Sequence, residues 1–505
     1  MTPESSPPGS SSLPGADPEA RPDNAVSVAI AQMFSARLLA MALAVGGMAV
    51  LARLLTPSDF GIFAFGLAVF AVAQAISQFG LVHELVRREN LERRALASAG
   101  GLALALAVTL ATGAVLVALV SGRPIGSEAM AVVIFLGLAL VSEAVAMPYE
   151  ALRQRNIAFR LISVLAVVQA FVEIVAGVLL ALAGLGPAAL AAGIFASRTV
   201  TAGLLIAACP SDRRTRPSRT GWRQFARFGG SFVTARFLSR IGELAIVTFI
   251  REGLGVAQLG LYNRAGAVHS IPDRTIFEAV NPVILPALTR ALRGEIGPDR
   301  VYLHKLDYLA AVCWPAFGAI AVLADPLVAV LLGDQWTDAV VPVRILAIAG
   351  MFMPFTKMSM KLFVAVDRMD LHLRAQGVTV VAMVVGAGLG SLVSLPAACA
   401  GLAAAQVVQT TAVWRGVNAV SVESMGIPWS TLGRGLVLTA ATLVAPVALV
   451  AWIDLADPLE LAIGTVLGGL SWGGAMIALR HRLVADVRSL RSTSAASGTV
   501  TSTST

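Results

Sequence analysis

Long apolar stretches, separated by short segments rich in charged residues, proline and glycine, recur along the whole chain. Each is close to the roughly 20 residues that a helix needs to cross the hydrocarbon core of a bilayer. The pattern predicts fourteen spanning helices, at 27–51, 60–82, 96–120, 129–151, 161–183, 187–208, 227–250, 257–288, 304–324, 340–364, 374–395, 397–418, 433–453 and 458–480. The fold class is therefore all-α and polytopic.

Composition excludes a soluble protein, because 57% of the 505 residues are hydrophobic and 13% are charged, against about 25% charged in soluble domains. The three cysteines lie far apart and form neither a disulfide framework nor a metal motif. No nucleotide-binding loop precedes any lysine, and the longest predicted outside loop has about fifteen residues. We therefore expect no cofactor and no catalytic domain.

Loop charges fix a predicted orientation. With the N-terminus inside, the inside loops hold 25 basic residues and the outside loops hold 3, as the positive-inside rule requires. Both termini are then cytoplasmic. The net charge of +8 reflects topology and attraction to anionic lipid, and it does not indicate a nucleic-acid partner.

An internal repeat divides the chain. The segment SDFGIFAFG (58–66) aligns with AQLGLYNRA (257–265), so that Gly61 matches Gly260 and Phe63 matches Tyr262. Six spans separate the copies, which predicts two six-helix lobes of equal orientation with a central cavity between them. The alternative is chance similarity among helices rich in glycine and alanine. The predicted divisions are a disordered N-terminus (1–24), an N-lobe (25–209), a basic linker (210–226), a C-lobe (227–420), a C-terminal helix pair (421–482) and a disordered tail (483–505).

Charged residues inside predicted spans mark the candidate site, because each costs roughly 2.5–3.5 kcal/mol at the centre of a membrane helix. In span 8, helical spacing places Arg264, Arg274 and Glu278 on one stripe, whereas His269 and Asp273 lie on the other side, where pairing within the lobe is expected. Pro272 is expected to kink this helix. In span 7, Arg236, Arg240 and Glu243 share a face.

Cations exceed acids in spans 1, 7, 8 and 10. Seven basic residues (Arg37, Arg236, Arg240, Arg264, Arg274, Lys357 and Lys361) stand against Glu243, Asp273 and Glu278. A cavity with surplus positive charge favours an anion, and arginine binds phosphate oxygens through two parallel hydrogen bonds. The acids Glu143, Glu243 and Glu278 are candidates for ion coupling or, alternatively, for pairing with a neighbour, as Glu243 could with Arg240.

The segments LARLLTPSDFGIFAFGLAVFAVAQAISQFGLVHELVRREN (51–90) and LGLYNRAGAVHSIPDRTIFEAVNPVILPALTR (259–290) resemble the polysaccharide transporter, or lipid-linked oligosaccharide flippase, family. The closest resemblance is to the branch exporting colanic-acid, capsule or exopolysaccharide units. The resemblance implies transfer of undecaprenyl-pyrophosphate-linked oligosaccharide across the inner membrane by alternating access. It also implies a cationic cavity, to which Arg37, Arg236, Arg240 and Arg264 correspond by position.

Other functions stay open at this point. The same superfamily contains ion-coupled multidrug antiporters and the lipid II flippase, and a membrane polymerase or ligase ranks last for want of a large outside loop. In addition to the lipid-linked oligosaccharide and the bilayer, a polysaccharide polymerase and a chain-length regulator are candidate partners.

Overall fold

A computed structural model describes residues 23–78, 80–87, 92–120, 126–155, 159–209, 217–219, 222, 230–277, 288, 298–421, 429–453 and 455–480. All regular secondary structure in these ranges is helical. The predicted terminal segments and most of the predicted linker lie outside them, so those divisions stay predictions.

Within the described residues of the predicted N-lobe the structure has seven helices: α1 (Asp23–Leu54), α2 (Pro57–Gln78), α3 (Leu81–Arg87), α4 (Arg93–Val120), α5 (Ser127–Arg155), α6 (Phe159–Leu182) and α7 (Pro187–Ala207). Helix α2 begins where the sequence provides a reciprocal cap. The Asp59 carboxylate accepts from the Thr56 amide at 2.8 Å, and the Asp59 amide donates to the Thr56 hydroxyl at 3.3 Å. Pro57, which has no N–H to satisfy, occupies the first helical position.

The rest of the chain begins with α8 (Gly230–Leu254), α9 (Val256–Pro272) with a π-helical turn at Asp273–Phe277, and α10 (Pro298–Val322). It continues with α11 (Ala324–Leu331), a 3₁₀ turn (Asp334–Ala339), α12 (Val340–Gly350), α13 (Met353–Ala365), α14 (Met369–Ser391) and α15 (Leu395–Val420). The last two described helices are α16 (Trp429–Trp452) and α17 (Asp457–Ala478), which pack against each other.

Helix α9 ends at Pro272, where the kink is predicted, and the chain continues as a π-helical turn; the kink itself stays a prediction. Proline removes a backbone donor and disturbs the preceding helical turn. The Thr275 hydroxyl donates to the Ile271 carbonyl at 2.8 Å, so this carbonyl beside the break does not face hydrocarbon unpaired. The Thr275 hydroxyl thus gives that backbone group a hydrogen-bond partner within the segment.

The described helices confirm a polytopic membrane protein but not the count of fourteen spans. Eleven are long and apolar enough to cross a bilayer, or twelve if the pair Asp334–Gly350 and Met353–Ala365, bent by 40°, is one span. Helices α8 and α9 occupy two further predicted spans. Each of these two carries arginine and acidic residues in its length.

The two repeat glycines meet where the lobes touch. Helix α2 packs against α8 and α9, and the closest crossing is at Gly61 and Gly260. A Cβ atom on Gly260 would collide with the Pro57 carbonyl, and one on Gly61 would collide with the Val256 carbonyl. The matched glycines allow two backbones to come into contact, which explains why both copies of the repeat carry glycine at this position.

Candidate functional site

We call the end of the lobe interface where α1 meets α2 the outer end; the sequence predicts that it faces outside. Here the Trp336 indole donates to the Ala52 carbonyl at 2.9 Å, and the Gln335 amide donates to the same oxygen at 2.5 Å. The Trp336 ring also meets the Phe60 ring edge to face, with centroids 5.3 Å apart. Arg53 reaches the Val330 carbonyl at 2.7 Å. Polar and aromatic contacts therefore hold the lobes closed at this end.

Arg264 lies one helical turn inward from the glycine crossing. Its guanidinium stacks on the Phe60 ring of the opposite lobe, 4.2 Å from the centroid. Its Nε and Nη2 groups both donate to the Asn263 side-chain oxygen, at 3.3 Å and 2.7 Å. Within the described residues Arg264 forms no ion pair, so its partners are an aromatic face and a neutral amide and its charge has no acidic partner there. The adjacent helix repeats the arrangement, because Arg251 of α8 covers the Phe65 ring at 4.3 Å.

The predicted stripe on α8 is partly neutralised. Arg240 pairs with Glu243 at 2.5 Å on its own helix, and both side chains are half-exposed. This is the pairing alternative for Glu243 rather than a free acid for ion coupling. Arg236 belongs to the same helix, but its side chain lies outside the described part of the structure.

The inner part of α9 also separates its charges as expected. Asp273 pairs with Lys357 of α13 at 3.0 Å, and the His269 ring stacks on Phe317 of α10 with centroids 5.4 Å apart. The expected pairing of Asp273 is therefore seen, whereas His269 makes an aromatic ring contact in the same lobe. Arg274 is exposed, whereas Glu278, predicted on the same stripe, lies outside the described residues.

Depth along the helices can be estimated from a rise of about 1.5 Å per residue. From the outer ends of their helices, Arg264 lies roughly 12 Å inward, Arg240 roughly 21 Å, Arg37 roughly 25 Å and Arg274 roughly 27 Å. Helices α8 and α9 pack on each other and on α2, and Arg264 faces α2 through its contact with Phe60. Arg37 is exposed on α1, a helix that packs mainly against α6.

A polar cavity inside the first lobe is the feature that sequence reasoning missed. Its volume is about 550 Å³, and α2, α5, α6 and α7 contribute most of its walls. Glu143 is central. The amides of Gln74 and Gln78 both donate to its carboxylate at 2.8 Å. We call these three residues the glutamine clasp.

The cavity also holds cationic and hydroxyl groups. Arg198 and Thr201 line it, and the Arg198 Nε and Thr201 Oγ1 atoms are buried without a hydrogen-bond partner in the described structure. Glu150 and Gln169 complete the polar lining. In the sequence, Glu143 lies in the predicted span 129–151 and Arg198 in the predicted span 187–208. The spacing of Gln74 and Gln78, four residues apart in an apolar helix, was the available signal for a shared site.

The chain matches the family model described as "Polysaccharide biosynthesis protein" over residues 50–341. It is 25% identical over 316 residues to the succinoglycan biosynthesis transport protein ExoT of Rhizobium meliloti, covering 61% of this chain and 64% of that protein. It is 22% identical over 341 residues to the lipopolysaccharide biosynthesis protein WzxC of Escherichia coli, covering 65% and 67%.

The fold is similar to a solved transporter structure. The lipid II flippase MurJ in an inward closed conformation superposes with a TM-score of 0.71 and 10% identity, covering 91% of this chain and all of that one. At this identity the likeness concerns the fold alone. The family match spans more than half of the chain and includes both the outer-end contacts and Arg264. This chain therefore belongs to the polysaccharide biosynthesis protein family.

Proposed function

We propose that the protein moves a polyprenyl-pyrophosphate-linked oligosaccharide across the membrane by alternating exposure of the gap between its lobes. One observation carries the proposal: Arg264 lies at the lobe interface with no ion pair in the described structure. The relatives ExoT, a succinoglycan biosynthesis transport protein, and WzxC, a lipopolysaccharide biosynthesis protein, support transport in the synthesis of a surface polysaccharide. Cargo transfer of this kind needs no chemical reaction, and we infer that the protein is not an enzyme.

The physical reason is the cost of an unbalanced charge in a membrane protein. A guanidinium at membrane depth is expensive unless it faces a partner or water. Arginine has five N–H donors, and Asn263 engages two of them. A diphosphate brings both the missing charge and oxygen acceptors, and it would itself pay a large desolvation cost if it crossed the hydrocarbon alone.

The other predicted cations contribute according to how far they are already neutralised. Arg240 is paired with Glu243 and would have to exchange that partner to bind cargo. Arg274 is exposed and is a second proposed contact for the diphosphate. Arg37 and Arg236 retain a proposed role from position alone.

The test replaces Arg264 in a strain from which the gene has been deleted. Arg264→Gln keeps a side chain that can form a hydrogen bond with Asn263 but removes the positive charge. Arg264→Lys keeps the charge but loses the planar guanidinium, which can donate two parallel hydrogen bonds to a phosphate. We expect Arg264→Gln to abolish export of the surface polymer and to accumulate the lipid-linked repeat unit in the cytoplasmic leaflet. Arg264→Lys should restore part of the export, because a point charge still attracts phosphate.

The matched control is Arg344→Ala. The Arg344 guanidinium already pairs with Asp325, so its loss should leave export near the wild-type rate. Membrane abundance and melting temperature of each variant separate transport defects from folding defects. Export at the wild-type rate by Arg264→Gln would remove the proposed role.

A second candidate function is ion-coupled drug or metabolite antiport, and the cavity with its glutamine clasp favours it. Glu143 is a carboxyl group inside a polar, membrane-embedded cavity, and such groups mark proton or ion pathways. This function predicts that expression raises drug tolerance and that Glu143→Gln abolishes the effect. If lipid II accumulates instead of a polymer repeat unit, the cargo is that of a lipid II flippase.

We further propose an inner-membrane location with both termini cytoplasmic, on the strength of the loop charges. A polysaccharide polymerase and a chain-length regulator are proposed partners because a translocated repeat unit must be joined into polymer. We propose no cofactor and no nucleic-acid partner.

A further inference from the structure

A groove on the outer surface of the C-lobe runs between α14 and α15. Its volume is about 470 Å³. The two helices touch closely near Gly386 and Gly401, where their backbones meet, and again where Leu371 lies 3.6 Å from a Cβ built on Gly416. Between these contacts the walls are aliphatic, and Val378, Val407 and Val408 are each more than 40% exposed. The groove therefore faces the lipid phase.

Two arginines stand at one end of this groove. Arg374 is in the second turn of α14, and Arg415 lies five residues before the end of α15. Because the helices are antiparallel, both guanidinium groups are at about the same depth. Both are exposed and both line the groove. Neither forms an ion pair within the described residues.

The acid nearest in sequence is already engaged. Asp370 accepts from Arg368 through both carboxylate oxygens, at 2.9 Å and 3.1 Å. Arg374 therefore retains charge for another partner, although Asp370 exerts a Coulombic influence on it. The groove thus combines a cationic end with an apolar body.

The apolar part of the groove covers most of one lipid leaflet. From Arg415 inward to Val407, the lining on α15 is about 12 Å long at 1.5 Å per residue. Half of a hydrocarbon core is about 15 Å. By the predicted topology, Arg374 and Arg415 lie at the cytoplasmic side. An acyl chain could lie along the valines while its phosphate meets the arginines.

We propose that this groove is a binding site for an anionic phospholipid of the cytoplasmic leaflet. The occupant is a diacyl phosphate lipid, held by Arg374 and Arg415 at the head group and by the valine walls along one acyl chain. Basic pockets between membrane helices on the cytoplasmic side bind such head groups. The cargo is not the assigned occupant, because α14 and α15 pack against α8, α12 and α13 of the same lobe and their groove opens to lipid.

The experiment measures lipid retention by the purified full-length protein with native mass spectrometry. Phosphatidylglycerol is the anionic probe and phosphatidylcholine is the zwitterionic one. A basic residue in direct contact with an anionic lipid head group contributes about fivefold to binding. We expect the double variant Arg374→Ala with Arg415→Ala to weaken phosphatidylglycerol binding by about 25-fold and to leave phosphatidylcholine binding within twofold of wild type.

Two further variants make the result specific. Arg155→Ala with Arg480→Ala removes the same charge from the same predicted side of the membrane but away from the groove, and it should bind phosphatidylglycerol like the wild type. Val408→Trp fills the groove and keeps both arginines. Since Val408 is 42% exposed, this variant should fold, and it should weaken retention of phosphatidylglycerol.

Three results would overturn the proposal. The first is that the control variant Arg155→Ala with Arg480→Ala loses as much phosphatidylglycerol binding as the groove variant, and the second is that the groove variant Arg374→Ala with Arg415→Ala loses none. The third is that an equimolar polyprenyl diphosphate displaces phosphatidylglycerol, which would make the groove a path for the cargo. Lipid retention is read without transport. Failure of this proposal is therefore distinguishable from failure of the cargo proposal, which depends on Arg264.

Discussion

Closure of the outer end depends on two glycines, and Gly260→Ala is the sharpest perturbation of it. A Cβ atom at this position would lie well inside 3.0 Å of the Pro57 carbonyl oxygen, which is backbone of α2 and cannot rotate away. Non-bonded atoms settle at about 3.5 Å or more, so α2 and α9 would have to separate by roughly 1.5–2 Å. Overpacking of this kind costs about 1–3 kcal/mol.

The penalty applies only to the closed state, because the two backbones part when the outer end opens. A bias of about 1–3 kcal/mol changes the ratio of open to closed molecules by roughly 5- to 150-fold. The variant should therefore spend far more time open at the outer end. Export should fall because the cycle can no longer return easily to the closed form.

Thiol labelling measures this shift. Ala52 is fully buried, and its carbonyl accepts from Trp336, so a reporter Ala52→Cys is shielded while the outer end is closed. The three native cysteines are buried and give little background. We expect a membrane-impermeant maleimide to label the reporter faster, within the range given above, when Gly260→Ala is added.

Gly266→Ala is the matched control. It lies on the same helix, and a Cβ atom there meets nothing within 4 Å, so labelling and export should stay at wild-type levels. The reasoning would be refuted if Gly260→Ala, at normal abundance, were labelled and exported polymer at the wild-type rate.

Three smaller predictions concern individual hydrogen bonds. Glu143→Gln should preserve the fold, because a glutamine can still form a hydrogen bond with Gln74, but the variant lacks the carboxyl group that could carry a proton. Loss of the pH dependence of transport would support a role of Glu143 in ion coupling. An unchanged pH profile would mean that the glutamine clasp has a structural role only. Trp336→Phe should keep the aromatic contact but lose the hydrogen bond to the Ala52 carbonyl, which contributes about 0.5–1.5 kcal/mol to the stability of the closed state. Thiol labelling at the outer end should therefore rise several-fold, and unchanged labelling would contradict this. Ser394→Ala removes the hydroxyl cap of α15 and should lower unfolding stability by about 0.5–2 kcal/mol, measured as a lower melting temperature in detergent with export retained.

The sequence predicted the helices well because membrane spans are local features. Apolar length, a proline at a helix start and charge at the ends act within one segment, as at Pro57 and Pro187. The repeat predicted something non-local, namely that Gly61 and Gly260 are equivalent. The structure adds that they touch, a contact that alignment alone cannot give.

The site was less predictable because spacing along a helix fixes a face but not the neighbour that the face meets. Arg240 and Arg264 were both placed on polar stripes, yet one is paired at 2.5 Å with Glu243 and the other stacks on Phe60. The 3₁₀ turn with Trp336 falls in what the sequence showed only as a short, partly apolar loop. Its role depends on a contact with Ala52, 284 residues away.

Because neighbouring cations are already paired with acids, the argument for an anionic cargo depends mainly on Arg264. Ion pairs with Glu243 and Asp273 account for Arg240 and Lys357. Arg264 instead rests on Phe60, a residue of the opposite lobe. When the lobes part at the outer end, that cation–π contact is lost and the guanidinium must find another partner. An anion bound there would favour whichever conformation leaves the guanidinium accessible, since a ligand shifts a conformational equilibrium by its difference in affinity for the two states. Arg264 can therefore both bind the cargo and, once the cargo is bound, shift the equilibrium between the closed and open forms of the contact at Gly61 and Gly260.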